Sequence, residues 1–314
     1  MQTGFRWLLI ALTAASVPLW LRAFRWRVSA WTMSTIVVLF LGSFQAIQGI
    51  KLQQLSLFVN GLITFCAVLL AEGHLAAAGV LLALATIKPQ LALPLSAWLL
   101  FWSVTDWARR KNLVWGFTAT MLALILAGEF VLPGWIARFG QAVIAYRRYN
   151  NGAGSTLDVL FTPLWGKVLT IAVMLGIAII CWRFRRISNR EAAFTWMMAL
   201  FLAATTVVAP KEASYNQVLL QAPVLLVARH LPLLWAKSSL SRGSLVIAAL
   251  IVFWPWLAAL AITMASPFLS AAVLQRTWTL PLYTSVATPL AVFALVALAF
   301  KELNRIDASS SQAS

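Results

Sequence analysis

Gln53, Ser56, Asn60 and Thr64 recur at steps of three and four residues, so on a helix they form one polar stripe, with Lys51 just ahead of it. Such a stripe suits a hydrogen-bonded seam between membrane helices or the wall of a polar cavity. Ser214, Gln217 and Gln221 repeat the pattern behind Lys211 and Glu212, and Gln54 and Asn216 flank the two stripes. Lys88 is followed at once by Pro89, whose missing amide hydrogen breaks a helix, so this ammonium is expected at a helix interruption. Together with Lys51, Arg147 and Arg148, it is the right chemistry for holding a phosphate or an anionic lipid headgroup. The same side chains also suit scattered headgroup contacts at helix ends.

Proton transfer beside such an anion site needs a carboxylate, and the candidates are Asp158 and Glu212, with Glu129 near the end of its helix. Each has a plainer reading: Asp158 as the cap of a turn after Thr156, Glu212 as the ion-pair partner of Lys211. Tyr146 to Gly154 is aromatic, basic and amide-rich, a composition that suits sugars and equally suits an exposed turn. His74 and His230 stand alone, and Cys66 and Cys181 lie in different apolar blocks, so neither a metal centre nor a disulfide is expected. No phosphate-binding loop, dinucleotide fingerprint or zinc motif is present, which argues against a cofactor and against nucleotide-driven pumping.

The elements that must position these residues are membrane helices. Of 314 residues 62% are hydrophobic and 10% charged, where a soluble domain carries about 25% charged residues. The apolar residues form continuous blocks of the length that crosses about 30 Å of hydrocarbon, without the alternation of a β-barrel. The blocks are 5–24, 31–47, 55–71, 75–87, 91–104, 114–133, 165–182, 194–209, 217–228, 244–266 and 281–300. They predict an all-α polytopic membrane protein of about eleven transmembrane segments in one domain, 1–304, with an outer loop at 134–164 and a disordered cytoplasmic tail at 305–314. The first block is read as a retained span and not a signal peptide, because it is long and lacks a small-residue cleavage site. Blocks 75–87 and 91–104 are short, as half-helices or tilted spans around Lys88-Pro89 would be. Trp7, Trp20, Trp26, Trp31, Trp107, Trp115, Trp135 and Trp165 lie near block ends, where interfacial anchors are expected.

The formal net charge of +16 would suggest nucleic acid in a soluble protein. Here topology accounts for it, and no nucleic-acid partner is expected. With Arg22, Arg25 and Arg27 inside, fifteen of the 24 Lys and Arg residues face the cytoplasm and nine face out, as the positive-inside rule prefers. Lys51, Lys88, Arg138, Arg147, Arg148, Lys167, Lys211 and Arg276 belong to the outer set. Fusing 75–104 into one span gives a nearly equal charge balance, but it buries Lys88 mid-bilayer at about 2.5–3.5 kcal/mol.

Lys51-Leu52-Gln53-Gln54-Leu55-Ser56-Leu57, then Glu72-Gly73-His74, Ala78-Gly79-Val80 and Thr86-Ile87-Lys88-Pro89-Gln90, resemble family 87 of the glycosyltransferases, which are integral-membrane, C-type enzymes. Gln53 stands for the family's usual glycine and Ser56 for its usual asparagine. Ala213-Ser214-Tyr215-Asn216-Gln217 is similar to the short aromatic-polar turn that opens a late helix in that family. The clear match covers about 40 residues, the order and spacing being those of an Ile-Lys-Pro step after an Ala-Gly helix. The resemblance implies a C-type helical bundle that moves a hexose, commonly mannose, from a polyprenyl-phosphate donor to an extracytoplasmic glycan or glycolipid in the plasma membrane. It implies that Lys88 and Lys51, with Arg147 and Arg148, hold the donor phosphate, and that Gln54 helps shape the site. The family's catalytic aspartate sits in a first outer loop that this chain does not have, so an N-terminally truncated gene is expected. The competing reading is a transporter or lipid flippase for an anionic substrate, with Lys88-Pro89 as a midplane site; the sequence offers no second broken pair to match it. A third is a non-catalytic membrane scaffold.

Overall fold

Each of the eleven apolar blocks forms helix, but the helices are cut more finely than the blocks. The structure is a computed structural model and describes residues 2–149, 154–209, 213–277 and 279–312, with side chains at 2, 146, 147, 149 and 303–312 left out. Lys211 and Glu212 therefore lie outside the described residues, as does the Arg147 side chain.

The helices are α1 (Gln2–Ala23), α2 (Ala30–Leu41), α3 (Phe44–Lys51), α4 (Leu55–Glu72), α5 (Leu75–Ala85), α6 (Pro89–Val104), α7 (Trp107–Val131) and α8 (Trp135–Tyr149). They continue as α9 (Thr156–Leu160), α10 (Pro163–Arg183), α11 (Ala192–Val208), α12 (Gln221–Arg229), α13 (Leu231–Lys237), α14 (Ser239–Ala265), α15 (Ala271–Thr277) and α16 (Thr288–Gln312). Short 3-10 turns occupy Ser214–Leu220, Ser266–Phe268 and Leu280–Leu282, and among the described residues there is no strand.

Five helices are long and apolar enough to cross a membrane, α1, α4, α7, α10 and α14 with its following turn, or up to seven if each of two bent pairs counts as one span. The protein is thus a helical membrane protein, with fewer clear spans than the eleven expected. The difference comes from breaks. Ser43 caps the N-terminus of α3 by accepting from the Ala46 N–H at 3.3 Å, and α2 and α3 meet there at 57°. The 3-10 turn with α12 meets α13 at 64°, just ahead of Pro232. Helices α5, α6 and α11 are apolar but shorter than 18 residues.

Helix α4 is the hub, packed against α1, α3, α5, α6 and the turn Ser214–Leu220, with 61% of its apolar window buried. On its flank, α5 and α7 cross very closely: a Cβ on Gly79 would stand 2.2 Å from the Leu113 carbonyl oxygen, and one on Gly116 2.2 Å from that of Ala76. Glycine at both positions is what lets the backbones touch. Between α6 and α11 the Trp98 ring stacks on Phe201 at 5.0 Å and packs on Phe194 at 5.1 Å. The apolar window of α7, by contrast, has nothing buried. Trp7, Trp31, Trp107, Trp115 and Trp165 are exposed, as anchors should be, whereas Trp20 is fully buried and stacks on Phe24. The segment 134–164, read as a loop, contains α8 and α9.

Arg110 ties the far end of the bundle together. Its buried guanidinium donates to the carbonyls of Trp102, Arg185, Arg186 and Ile187, lies 4.0 Å over the Trp102 ring, and sits 3.6 Å from Asp106. Three of those carbonyls lie just after the C-terminus of α10, where the chain has left the helical hydrogen-bond ladder.

Candidate functional site

Lys88 is the N-cap of α6, with Pro89 at the first helical position, so the ammonium projects from a break that proline makes. Its Nζ donates to Ser56 Oγ at 2.6 Å and to Asn216 Oδ1 at 2.9 Å, and lies 4.8 Å from the Tyr215 ring centroid. Ser56 Oγ in turn donates to Asn216 Oδ1 at 2.8 Å. Three separated segments converge here: the first turn of α4, the α5–α6 break and the 3-10 turn Ser214–Leu220. The acceptors are neutral, and among the described residues no carboxylate pairs with Lys88. Burial pushes its ammonium down to about 8.

One helical turn deeper the seam continues. Asn60 Nδ2 donates to Gln221 Oε1 at 3.1 Å, and Ser16 Oγ donates to the same oxygen at 2.6 Å. Gln45 Nε2 donates to Gln217 Oε1 at 3.2 Å, while Gln217 Nε2 donates to the Ser285 carbonyl at 2.5 Å. Asn60 Oδ1 and Gln221 Nε2 are buried without a partner, an arrangement that costs about 1–3 kcal/mol per group where nothing fills it.

The other side of this polar wall is an apolar cavity of about 210 Å³. Gln45, Gln217 and Gln221 form its polar edge, and Ile36, Phe40, Val252, Trp256 and Val292 are among the side chains that make the rest. Gln217 adjoins Asn216, the residue that holds Lys88. The Lys88 ammonium and an apolar hollow are therefore linked through the adjacent pair Asn216 and Gln217.

The structure brings together Lys88, Ser56, Asn60, Asn216, Gln217 and Gln221 from the sequence reading, and joins Lys51, Gln54 and Arg148 to them through no hydrogen bond among the described residues. Lys51 ends α3 with its side chain exposed. Gln54 is the N-cap residue of α4 but makes no capping bond with its side chain, and its amide reaches only the Leu52 carbonyl at 3.4 Å. Gln53 adopts φ +50°, a left-handed conformation at the end of α3, the geometry for which glycine is usually chosen. Arg148 is exposed on α8, which packs chiefly on α7.

Asp158 takes the capping role: Oδ2 accepts from the Ser155 N–H at 2.7 Å and from the Ser155 hydroxyl at 3.0 Å, the reciprocal of Ser155 capping α9. No interaction among the described residues joins it to Lys88. Glu129 accepts from the Gly134 N–H at 2.7 Å. The ring nitrogen Nδ1 of His230 faces the Leu226 carbonyl at 2.9 Å, and no metal-holding cluster exists among the described residues.

Sequence reasoning missed Ser16, Gln45 and Ser285. Thr13 and Ser16, one turn apart in an otherwise apolar stretch of α1, were a signal of the same kind as the α4 stripe; Ser285 contributes only backbone and left none.

No family model, curated protein or solved structure matches this chain.

Proposed function

We propose that this protein is a membrane glycosyltransferase that moves a hexose, mannose on the family resemblance, from a polyprenyl-phosphate donor to a glycan or glycolipid acceptor at the extracytoplasmic face of the plasma membrane. The carrying observation is Lys88, a half-buried cation on neutral acceptors, one of which, Asn216, adjoins the cavity-lining Gln217. A lipid phosphate has the matching parts, an anion for the ammonium and a chain for the cavity. In this reading Lys88 holds the donor phosphate and stabilises the charge that develops on it as the sugar leaves. One helical turn deeper, Asn60 Oδ1 and Gln221 Nε2 supply free hydrogen-bonding groups, and Gln217 lines the cavity. Lys51, Arg147 and Arg148 draw anionic substrate towards this face, and Gln53 and Gln54 set the turn that opens α4. The general base belongs to a carboxylate not yet assigned; of the two candidates, Asp158 is engaged as a cap and Glu212 lies outside the described residues.

A second reading, a transporter or flippase of an anionic substrate, gains from one observation. Two bent helix pairs exist, 57° between α2 and α3 and 64° at the junction with α13, and interrupted helices are where transporters build their sites. The segments next to these bends meet through Gln45 and Gln217. The test is full-length protein in proteoliposomes given labelled polyprenyl-phosphate mannose and an acceptor glycolipid. Label appearing on the acceptor, at a rate about tenfold to a hundredfold lower in Lys88→Met, is expected. Movement of labelled donor across the bilayer with no transfer would replace the enzyme reading by the transporter one.

A further inference from the structure

Helix α8 is unlike the rest of the chain. It follows the apolar helix α7 after a turn in which Gly134 takes φ +74°, a conformation open to glycine, with its N–H held by the Glu129 carboxylate at 2.7 Å. The Trp135 indole N–H donates to the Ile125 carbonyl at 3.3 Å, and its ring fills the space where Gly128 has no side chain. The first residue of α8 is thereby fastened to the last turns of a membrane-crossing helix, at the depth where hydrocarbon gives way to headgroups.

From there α8 runs for 15 residues, about 22 Å, too short to span. Its spacing is two-faced. Trp135, Ile136, Phe139 and Val143 fall on one arc, and Arg138, Gln141 and Arg148 on the opposite one. The apolar arc lacks a protein partner along most of its length: Ile136 is 53% and Phe139 52% exposed, and α7 is the principal neighbour of α8. Three arginines and no acidic residue occur between Trp135 and Tyr149.

We propose that α8 lies in the plane of the bilayer surface and docks on anionic lipid headgroups, its apolar arc sunk at the acyl boundary and Arg138 and Arg148 on lipid phosphates. Charge chooses this occupant. The arc opposite the apolar one carries arginine, and no acidic residue in the helix offsets it, so an anionic leaflet, which presents hydrocarbon below and phosphate above, complements both arcs at once. Nothing in this surface requires the activity proposed above, and its test does not depend on that activity.

Full-length protein with Cys66→Ala and Cys181→Ala receives a nitroxide at Val143→Cys or at Gln141→Cys. It is reconstituted in phosphatidylcholine nanodiscs with or without phosphatidylglycerol. With phosphatidylglycerol, the label at 143 is expected to relax with oxygen and to be shielded from a water-soluble nickel chelate, and the label at 141 to do the reverse. That contrast should shrink without phosphatidylglycerol, in Arg138→Gln/Arg147→Gln/Arg148→Gln, and in about 1 M salt, where screening falls to about 3 Å. Two labels equally wet, or a contrast indifferent to lipid charge, salt and arginines, would overturn the proposal. So would dipolar broadening between labels at 143, the sign of a second copy on the apolar arc.

Discussion

Replacing Lys88 tests the site through its titration. Of the three protons on Nζ, two are given to Ser56 and Asn216, which leaves one for a ligand. A single charge-assisted bond contributes about 1.5–3 kcal/mol, so Lys88→Met should lower kcat/KM for a lipid-phosphate donor about tenfold to a hundredfold. The pH profile is more diagnostic. With its ammonium pushed down to about 8 by burial, Lys88 is charged in about nine molecules of ten at pH 7 and in about one of ten at pH 9.

Donor use should therefore fall above about pH 8, with a slope of one proton. Stability runs the other way. Between about 8 and the ordinary lysine value the unfolded chain holds more protons than the folded one, so the fold gains stability as pH rises through that window. Lys88→Arg keeps the charge and does not titrate, so it should flatten the alkaline limb. The assay is transfer in proteoliposomes between pH 6 and 10, with thermal melting of each variant as the control. An alkaline limb unchanged in Lys88→Arg, or Lys88→Met within about threefold of wild type while melting normally, would refute the assignment of the phosphate to Lys88.

Three further outcomes follow from packing. Arg110→Met strips the Arg186 carbonyl of its donor and leaves the Trp102, Arg185 and Ile187 carbonyls with one donor in place of two, and should cost about 1–3 kcal/mol, read as a drop in melting temperature that Arg110→Lys rescues only partly. Gly79→Leu and Gly116→Leu should each destabilise by at least about 1–3 kcal/mol, because a side chain at either position meets backbone that has nowhere to move; a wild-type melting curve in both would show that α5 and α7 do not cross as described. At Gln53, with φ +50°, the valine variant should melt well below both the wild type and the glycine variant, since a β-branched residue is strained by about 1–2 kcal/mol in the left-handed region.

The features legible in the sequence were those written at short range. The α4 stripe showed because three- and four-residue steps report a helix face whatever surrounds it, and the interruption at Lys88 showed because proline cannot continue the hydrogen-bond ladder. That Lys88 meets Asn216 was not legible, for 128 residues separate them and no local pattern carries a pairing over that distance. The bend at Gly42-Ser43 was hidden because hydropathy averages across a cap. Helix α8 read as loop for the opposite reason: its polar half cancels its apolar half in any average, and only the angular arrangement gives it away. Trp20 was misread as an anchor because composition near a block end cannot tell a lipid neighbour from Phe24.

Burial differs sharply between helices that look alike by hydropathy, from 61% of the apolar window of α4 to none of that of α7. Lipid demands low polarity of a side chain but asks nothing of its shape, so α7 and α10 can exchange leucine for isoleucine or phenylalanine with little consequence. Residues of α4 and α11 are matched to neighbours methyl group by methyl group. Substitutions accumulating over generations should therefore erase the longest apolar helices first. The lasting fingerprint of this protein across lineages would be α4, α11 and the short turn Ser214–Leu220, of which only α4 is long and apolar enough to stand out as a membrane span.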